Sequence, residues 1–171
     1  MATKKIKKVP TTLTSREGKL HGSYKTYYEN GKIKADLHYN QDELDGLQIY
    51  YSYYDEGCFE KINYKNGVKD GVYEYYDENN NLVGKGTFRD GKMDGTWDVY
   101  YANGELKGVL RSRDFYKNDL IDGVSTQYWD ADQVYCQSHY ENGLKHGPYE
   151  KYDLNGQIID KGVYKNGKKV K

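Results

Sequence analysis

Cysteine is scarce in this chain: two residues among 171, Cys58 and Cys136, separated and without paired spacing. That excludes a disulfide framework and a zinc centre as the organising device, and a reducing, cytoplasmic location is the simplest expectation. Long hydrophobic runs are missing too. The first 20 residues lack the apolar stretch of a secretory signal, and no segment approaches the roughly 18 apolar residues that cross a bilayer as a helix. No Asn-x-Ser/Thr sequon occurs. Charge of one sign is also lacking: 26 basic residues balance 26 acidic ones, so no global field draws the chain to nucleic acid or anionic lipid. Hydrophobic residues make up 36% of the chain, and much of that is tyrosine, of which there are 21. So little aliphatic material excludes a large conventional core.

What is present is a period. Gly22, Gly46, Gly71, Gly95, Gly123 and Gly147 anchor six units at spacings of 24, 25, 24, 28 and 24 residues. Five residues after each anchor stands a tyrosine: Tyr27, Tyr51, Tyr76, Tyr100, Tyr128 and Tyr152. A fixed period of this size marks a repeat architecture. Residues 16–21 supply a half repeat, so the array is expected over 16–171, behind a disordered basic tail at 1–15 carrying Lys4, Lys5, Lys7 and Lys8.

Within a unit, two short runs rich in aromatics are separated by Gly-containing turns, as in GSYKTYYENGKIKADLHYN at 22–40. This is β-hairpin grammar, with Asn-Gly and Asp-Gly dipeptides supplying the positive φ angles of tight turns. The turns are too frequent for helices. One hairpin is marginal in water, so stability must come from stacking each on its neighbours. The fold class is therefore all-β: an elongated, single-layer antiparallel meander of about six stacked hairpins, twisted and curved, with strands of five or six residues. Ile33, Cys58, Leu82, Val134 and Ile158, with the strand-ending Tyr39, Tyr64, Phe88, Tyr116, Tyr140 and Tyr164, form a thin core. Asp42 and Asp119 replace the second turn glycine, and altered turns are expected there.

The chemistry-bearing motifs are weak. His21 and His146 precede anchor glycines where other units carry Asp, and His38 and His139 precede strand-ending tyrosines. Asp77 to Asn81 starts like a calcium loop, but Leu82 stands where that loop needs Gly and Phe88 where it needs Glu, so a hairpin turn is expected. No nucleophile motif or phosphate cradle appears. Neither catalytic residue, metal site nor cofactor is assigned, and an enzyme is the least supported class.

Units such as GVYEYYDENNNLVGKGTFRDGKMDG (71–95) and GPYEKYDLNGQIIDKGVYKNGKK (147–169) resemble the MORN repeat, in its bacterial-type variant. The resemblance covers 16–171 and implies single-layer hairpin sheets with roles in scaffolding, protein binding and sometimes membrane-lipid association. Many bacterial proteins of the variant type carry an antitoxin-like label.

Position 2 after the anchor varies, and regular alternation places it on the face opposite the position-5 tyrosines. Its aromatics Tyr24, Tyr73, Trp97 and Tyr149 are candidate partner contacts. The unit from Gly95 carries four extra residues that bring Lys107, Arg111 and Arg113 near Trp97 in sequence, and insertions in arrays often carry binding individuality. The expected function is a non-enzymatic scaffold that binds another protein, in an antitoxin or immunity-like role or a structural one. Alternatives are pairing with a second copy through open sheet edges, and weak attachment to anionic membrane through Lys165, Lys168, Lys169, Lys171 and the N-terminal lysines. Tyrosines alternating with carboxylates, as at Tyr73 to Glu78, argue against nucleic acid.

Overall fold

The computed structural model describes residues 14–54 and 57–171. Among these there is no helix, and the strands form one open antiparallel meander. The N-terminal half comprises β1 (Thr14–Arg16), β2 (Lys19–Tyr27), β3 (Ile33–Asn40), β4 (Glu43–Leu44), β5 (Gly46–Tyr51), β6 (Phe59–Lys65), β7 (Val68–Tyr76) and β8 (Leu82–Arg89). The remainder comprises β9 (Lys92–Met93), β10 (Gly95–Tyr100), β11 (Leu110–Lys117), β12 (Leu120–Ile121), β13 (Gly123–Tyr128), β14 (Val134–Glu141), β15 (Leu144–Tyr152), β16 (Ile158–Lys165) and β17 (Lys168–Lys169). The strands are longer and more broken than the five or six residues expected. At the anchors φ is positive, +111° at Gly71 for example, so the strand bends there. β4 runs into β5, β9 into β10 and β12 into β13 across a single aspartate.

Thr14 and Ser15, expected in the tail, lie in a paired strand opposite His21 and Leu20. The rest of the expected tail, 1–13, lies outside the described residues.

Each unit ends in a two-residue turn with both φ angles positive: Glu17-Gly18, Gln41-Asp42, Asn66-Gly67, Asp90-Gly91, Asn118-Asp119, Asn142-Gly143 and Asn166-Gly167. This turn matches the twist of the flanking strands. The altered turns expected at Asp42 and Asp119 are not found. Their φ angles of +71° and +70° lie close to the +76° of Gly67, although a side chain in this region costs roughly 1–2 kcal/mol. The compensation is a tie to the preceding unit. Asp42 Oδ1 accepts the Leu20 N–H at 2.7 Å, and Asp119 Oδ1 accepts the Met93 N–H at 2.8 Å. Where the turn residue is Gly, the aspartate before an anchor caps the next turn instead: Asp122 Oδ2 accepts from Asn142 N–H at 3.1 Å. The six turns after the first also donate a backbone N–H to the preceding unit, as Gly67 does to the Leu44 carbonyl at 2.8 Å.

The two faces differ. One row crosses the sheet through Lys25, Asp36, Ile49, Lys61, Glu74, Lys85, Asp98, Arg113, Thr126, Gln137, Glu150 and Lys161. Where charged residues adjoin in this row, from Lys61 to Arg113 and at Lys25–Asp36 and Glu150–Lys161, their signs are opposite and the cross-strand contact is attractive. The position-5 tyrosines share this face, and Tyr76 and Tyr152 donate to Glu74 and Glu150 two residues earlier. Position 2 falls on the opposite, aromatic face, as regular alternation requires. The core is thin: among the described residues, the buried apolar ones are Ala35, Cys58 and Ile62.

Candidate functional site

The position-2 side chains lock units together. Trp97 stacks on Tyr73 at 5.3 Å between centroids and meets Phe88 and Tyr116 edge-on at 5.3 and 6.0 Å. Its Nε1–H donates to the Thr87 carbonyl at 3.2 Å, and the indole lies over Gly86, where an added Cβ would fall 2.2 Å from the ring. Gln48, at the same position, is fully buried. Its amide accepts from His38 N–H at 2.7 Å and donates to the His38 carbonyl at 3.1 Å. Burial and the neighbouring Glu60 push the Tyr73 phenol up to about 12. Tyr149 packs edge-on against Tyr164 under the Lys145 ammonium. Tyr24, 37% exposed, is the most accessible of the four candidates.

The three basic candidates do not converge on Trp97. Arg113 belongs to the charged row, paired to Asp98 through Nε and Nη2 at 2.7 Å each, and this raises its already high pKa. It therefore faces away from Trp97. The Asp77 carboxyl in the preceding hairpin is held below its ordinary pKa first by the Asn81 backbone N–H, and Lys107 adds a smaller electrostatic contribution. Arg111 alone stays on the aromatic face, its guanidinium 5.9 Å from the Tyr101 ring centre. The cause is local: Leu110 pairs with Tyr100 and Ser112 with Val99, so Arg111 is the extra residue of a β-bulge, and a bulge re-aims its side chain.

Arg111 opens onto a groove of about 540 Å³ between the units starting at Gly95 and Gly123, lined by Val99, Tyr101, Arg111, Ser112, Gln127, Tyr128, Trp129 and Tyr135. Its walls come from two positions that sequence reading passed over. Position 6 supplies Tyr101 and Trp129, each tied to the next unit: Tyr101 Oη donates to the Tyr128 carbonyl and Trp129 Nε1 to the Tyr152 carbonyl, both at 3.2 Å. Tyr28 makes the same bond to the Tyr51 carbonyl. The bulge position supplies Arg111 and Tyr135, the latter 4.3 Å from Trp129 between ring centres. The signal was there, as aromatics recurring six residues after the anchors, but the adjacent position-5 ladder masked it.

The histidines serve the frame. His38 Nδ1 sits 3.3 Å from Ser23 Oγ, His139 Nδ1 3.1 Å from the Pro148 carbonyl, and His146 Nδ1 3.2 Å from Asn166 Oδ1. Asp77 closes its own turn by accepting from the Asn79 and Asn81 N–H groups at 3.0 and 2.8 Å. No group of three potential metal ligands converges among the described residues.

The sequence pattern of the MORN repeat variant matches residues 20–41, 69–90 and 145–166. Each match starts two residues before an anchor glycine, and the groove lies outside all three. No curated protein sequence matches this chain. Among solved structures, a chain in the crystal structure of a GtfA/B complex matches at 17% identity, over 67% of this chain and 19% of that one, with a TM-score of 0.32. This chain thus spans about a fifth of that one.

Proposed function

We propose that this chain, three of whose units belong to the MORN repeat variant, is a protein-binding scaffold that works through the loop-bearing edge of its sheet. MORN repeats are in general protein- or membrane-binding and of a non-enzymatic type. The carrying observation is where apolar surface is left uncovered. At the tight-turn edge, Val68, Leu120 and Leu144 are 44%, 46% and 52% exposed, each leaning toward the glycine of the following turn, Gly91, Gly143 and Gly167; the loop-bearing edge is more open still. At the opposite edge Tyr54 is 89% exposed, Leu154 62% and Ile159 57%, with Trp129 and Val99 also open. Aromatic side chains held on a rigid sheet are the type that dominates interface energetics.

The partner is another protein in the cytoplasm, where Cys58 and Cys136 remain free thiols. Neutralising that partner, as an antitoxin or immunity protein does, and holding it in an assembly are the two forms this binding takes. Affinity capture from native lysate tests the reading, using wild type beside a Tyr54→Ser, Trp129→Ala, Leu154→Ser variant matched by circular dichroism. Specific proteins retained by wild type and lost by the variant are expected. Recovery of lipid or nucleic acid alone would refute it.

A further inference from the structure

We infer that the groove between the Gly95 and Gly123 units is the docking site for an acidic, aromatic-containing segment of a partner protein, a deepening that rests on the protein-binding reading above. Charge complementarity on a preorganised aromatic frame supports this assignment.

None of the groove's lining residues is a carboxylate. Arg111 makes no ion pair among the described residues, and its guanidinium stands over the Tyr101 ring. A second cation stands at the far wall, with Lys151 Nζ 5.0 Å from the centre of the Tyr135 ring. The acids nearest in sequence are engaged elsewhere. Asp98 holds Arg113 through both oxygens, Asp130 accepts from the Asp132 and Gln133 N–H groups, and Asp114 sits a row away, opposite Trp97. Arg111 thus stands over an aromatic floor with no ion pair among the described residues, while Lys151 at the far wall faces Asp160 across the ladder, a carboxylate already paired with Lys169.

The frame is rigid before a ligand arrives. The Tyr101 and Trp129 rings are pinned by their polar atoms to carbonyls of the next unit, so little side-chain freedom remains to be lost on binding. The volume of about 540 Å³ lies within the range of ligand clefts. Gln127 and Ser112 add neutral hydrogen-bonding groups to the lining. A segment carrying Asp or Glu beside Phe, Tyr or Trp would place its carboxylate on Arg111. Its ring would lie against Trp129 and Tyr135.

The test is selection of a random linear peptide display library on the full chain, followed by affinity measurements with the enriched peptides. The expected result is enrichment of Asp or Glu next to an aromatic. Affinity should fall about tenfold or more in Arg111→Gln and in Trp129→Ala, and hold in Lys165→Gln at the far end. Arg111→Lys should recover part of the loss, whereas a merely misfolded variant would not be rescued this way. Binding should weaken as salt rises. Peptides without acids, or acidic peptides bound equally by the Arg111→Gln variant, would overturn this site while leaving protein binding intact. Two further probes are phosphatidylglycerol vesicles and an oligothymidylate. Binding of either one, with no peptide selected, would overturn both the site and the protein-binding reading.

Discussion

Replacing Gly86 with alanine tests whether Trp97 is an internal wedge or a free anchor for partners. A Cβ at Gly86 would lie 2.2 Å from Trp97 Cδ2 and 2.3 Å from Cε2, where ordinary carbon contacts are about 3.5–4.0 Å. The indole would have to retreat by more than an ångström, and it is held between Tyr73 and Tyr116. Overpacking alone costs about 1–3 kcal/mol, and full loss of a packed aromatic about 3–5. Against this stands a gain of about 0.4–1 kcal/mol from stiffening the unfolded chain. Gly86 is not in the left-handed region, so backbone strain adds nothing. The net expectation is a loss of about 2–3 kcal/mol, read by urea denaturation or as a fall in Tm of about 5–10 °C. Gly84→Ala is the control: its Cβ would meet only the Tyr75 Cβ, at 3.7 Å, so it should be neutral or slightly stabilising. In a Trp97→Ala background the Gly86→Ala penalty should vanish, a coupling a double-mutant cycle measures directly. A neutral Gly86→Ala in the otherwise wild-type chain would show that the indole does not sit over Gly86.

Other perturbations separate frame from surface. Asp119→Ala keeps the positive φ but loses the Met93 N–H bond; it should cost about 1–2 kcal/mol, whereas Asp119→Gly, which also relieves the strain, should be near neutral. Equal effects in thermal melts would deny the carboxylate any role. Ultraviolet titration should place the Tyr73 phenol near 12, held there by burial and then by Glu60. Because the folded phenol keeps its proton to higher pH than the unfolded one, whose ordinary value is 10.0, this group's contribution to stability declines as pH rises from 10 toward 12. Glu60→Gln should lower the midpoint, and an unchanged midpoint would remove Glu60 as a cause. Arg113→Gln breaks a bidentate but half-exposed pair with Asp98; a cost of about 1 kcal/mol is expected, with acidic-peptide binding intact. Peptide binding lost with Arg113 would instead put the docking surface on the charged face.

How far sequence carried can be traced at particular residues. The Gly anchors, the position-5 tyrosines and the Gly-containing turns sufficed for the meander, because a turn about every dozen residues leaves too little chain between turns for anything but short hairpin strands. Alternation correctly put position 2 opposite position 5. Aromatic type at position 2 did not reveal its part in the frame, where Trp97 and Gln48 each donate to a carbonyl of the neighbouring strand. Composition does not tell an aromatic that faces a partner from one that faces the next repeat.

The sequence by itself determined the repeat, its turns and the two-faced sheet, since all three follow from short-range rules of φ angle and side-chain alternation. Tertiary structure decided which charges are free. Arg111 and Arg113 are two residues apart, yet a single bulge residue sends one to an aromatic groove while the ladder register gives the other an aspartate. Register across strands is a long-range property. Only once the hairpins stack does it decide that Asp98 meets Arg113, that the Tyr101 hydroxyl reaches the Tyr128 carbonyl, and that an unneutralised cation is left at the groove between them.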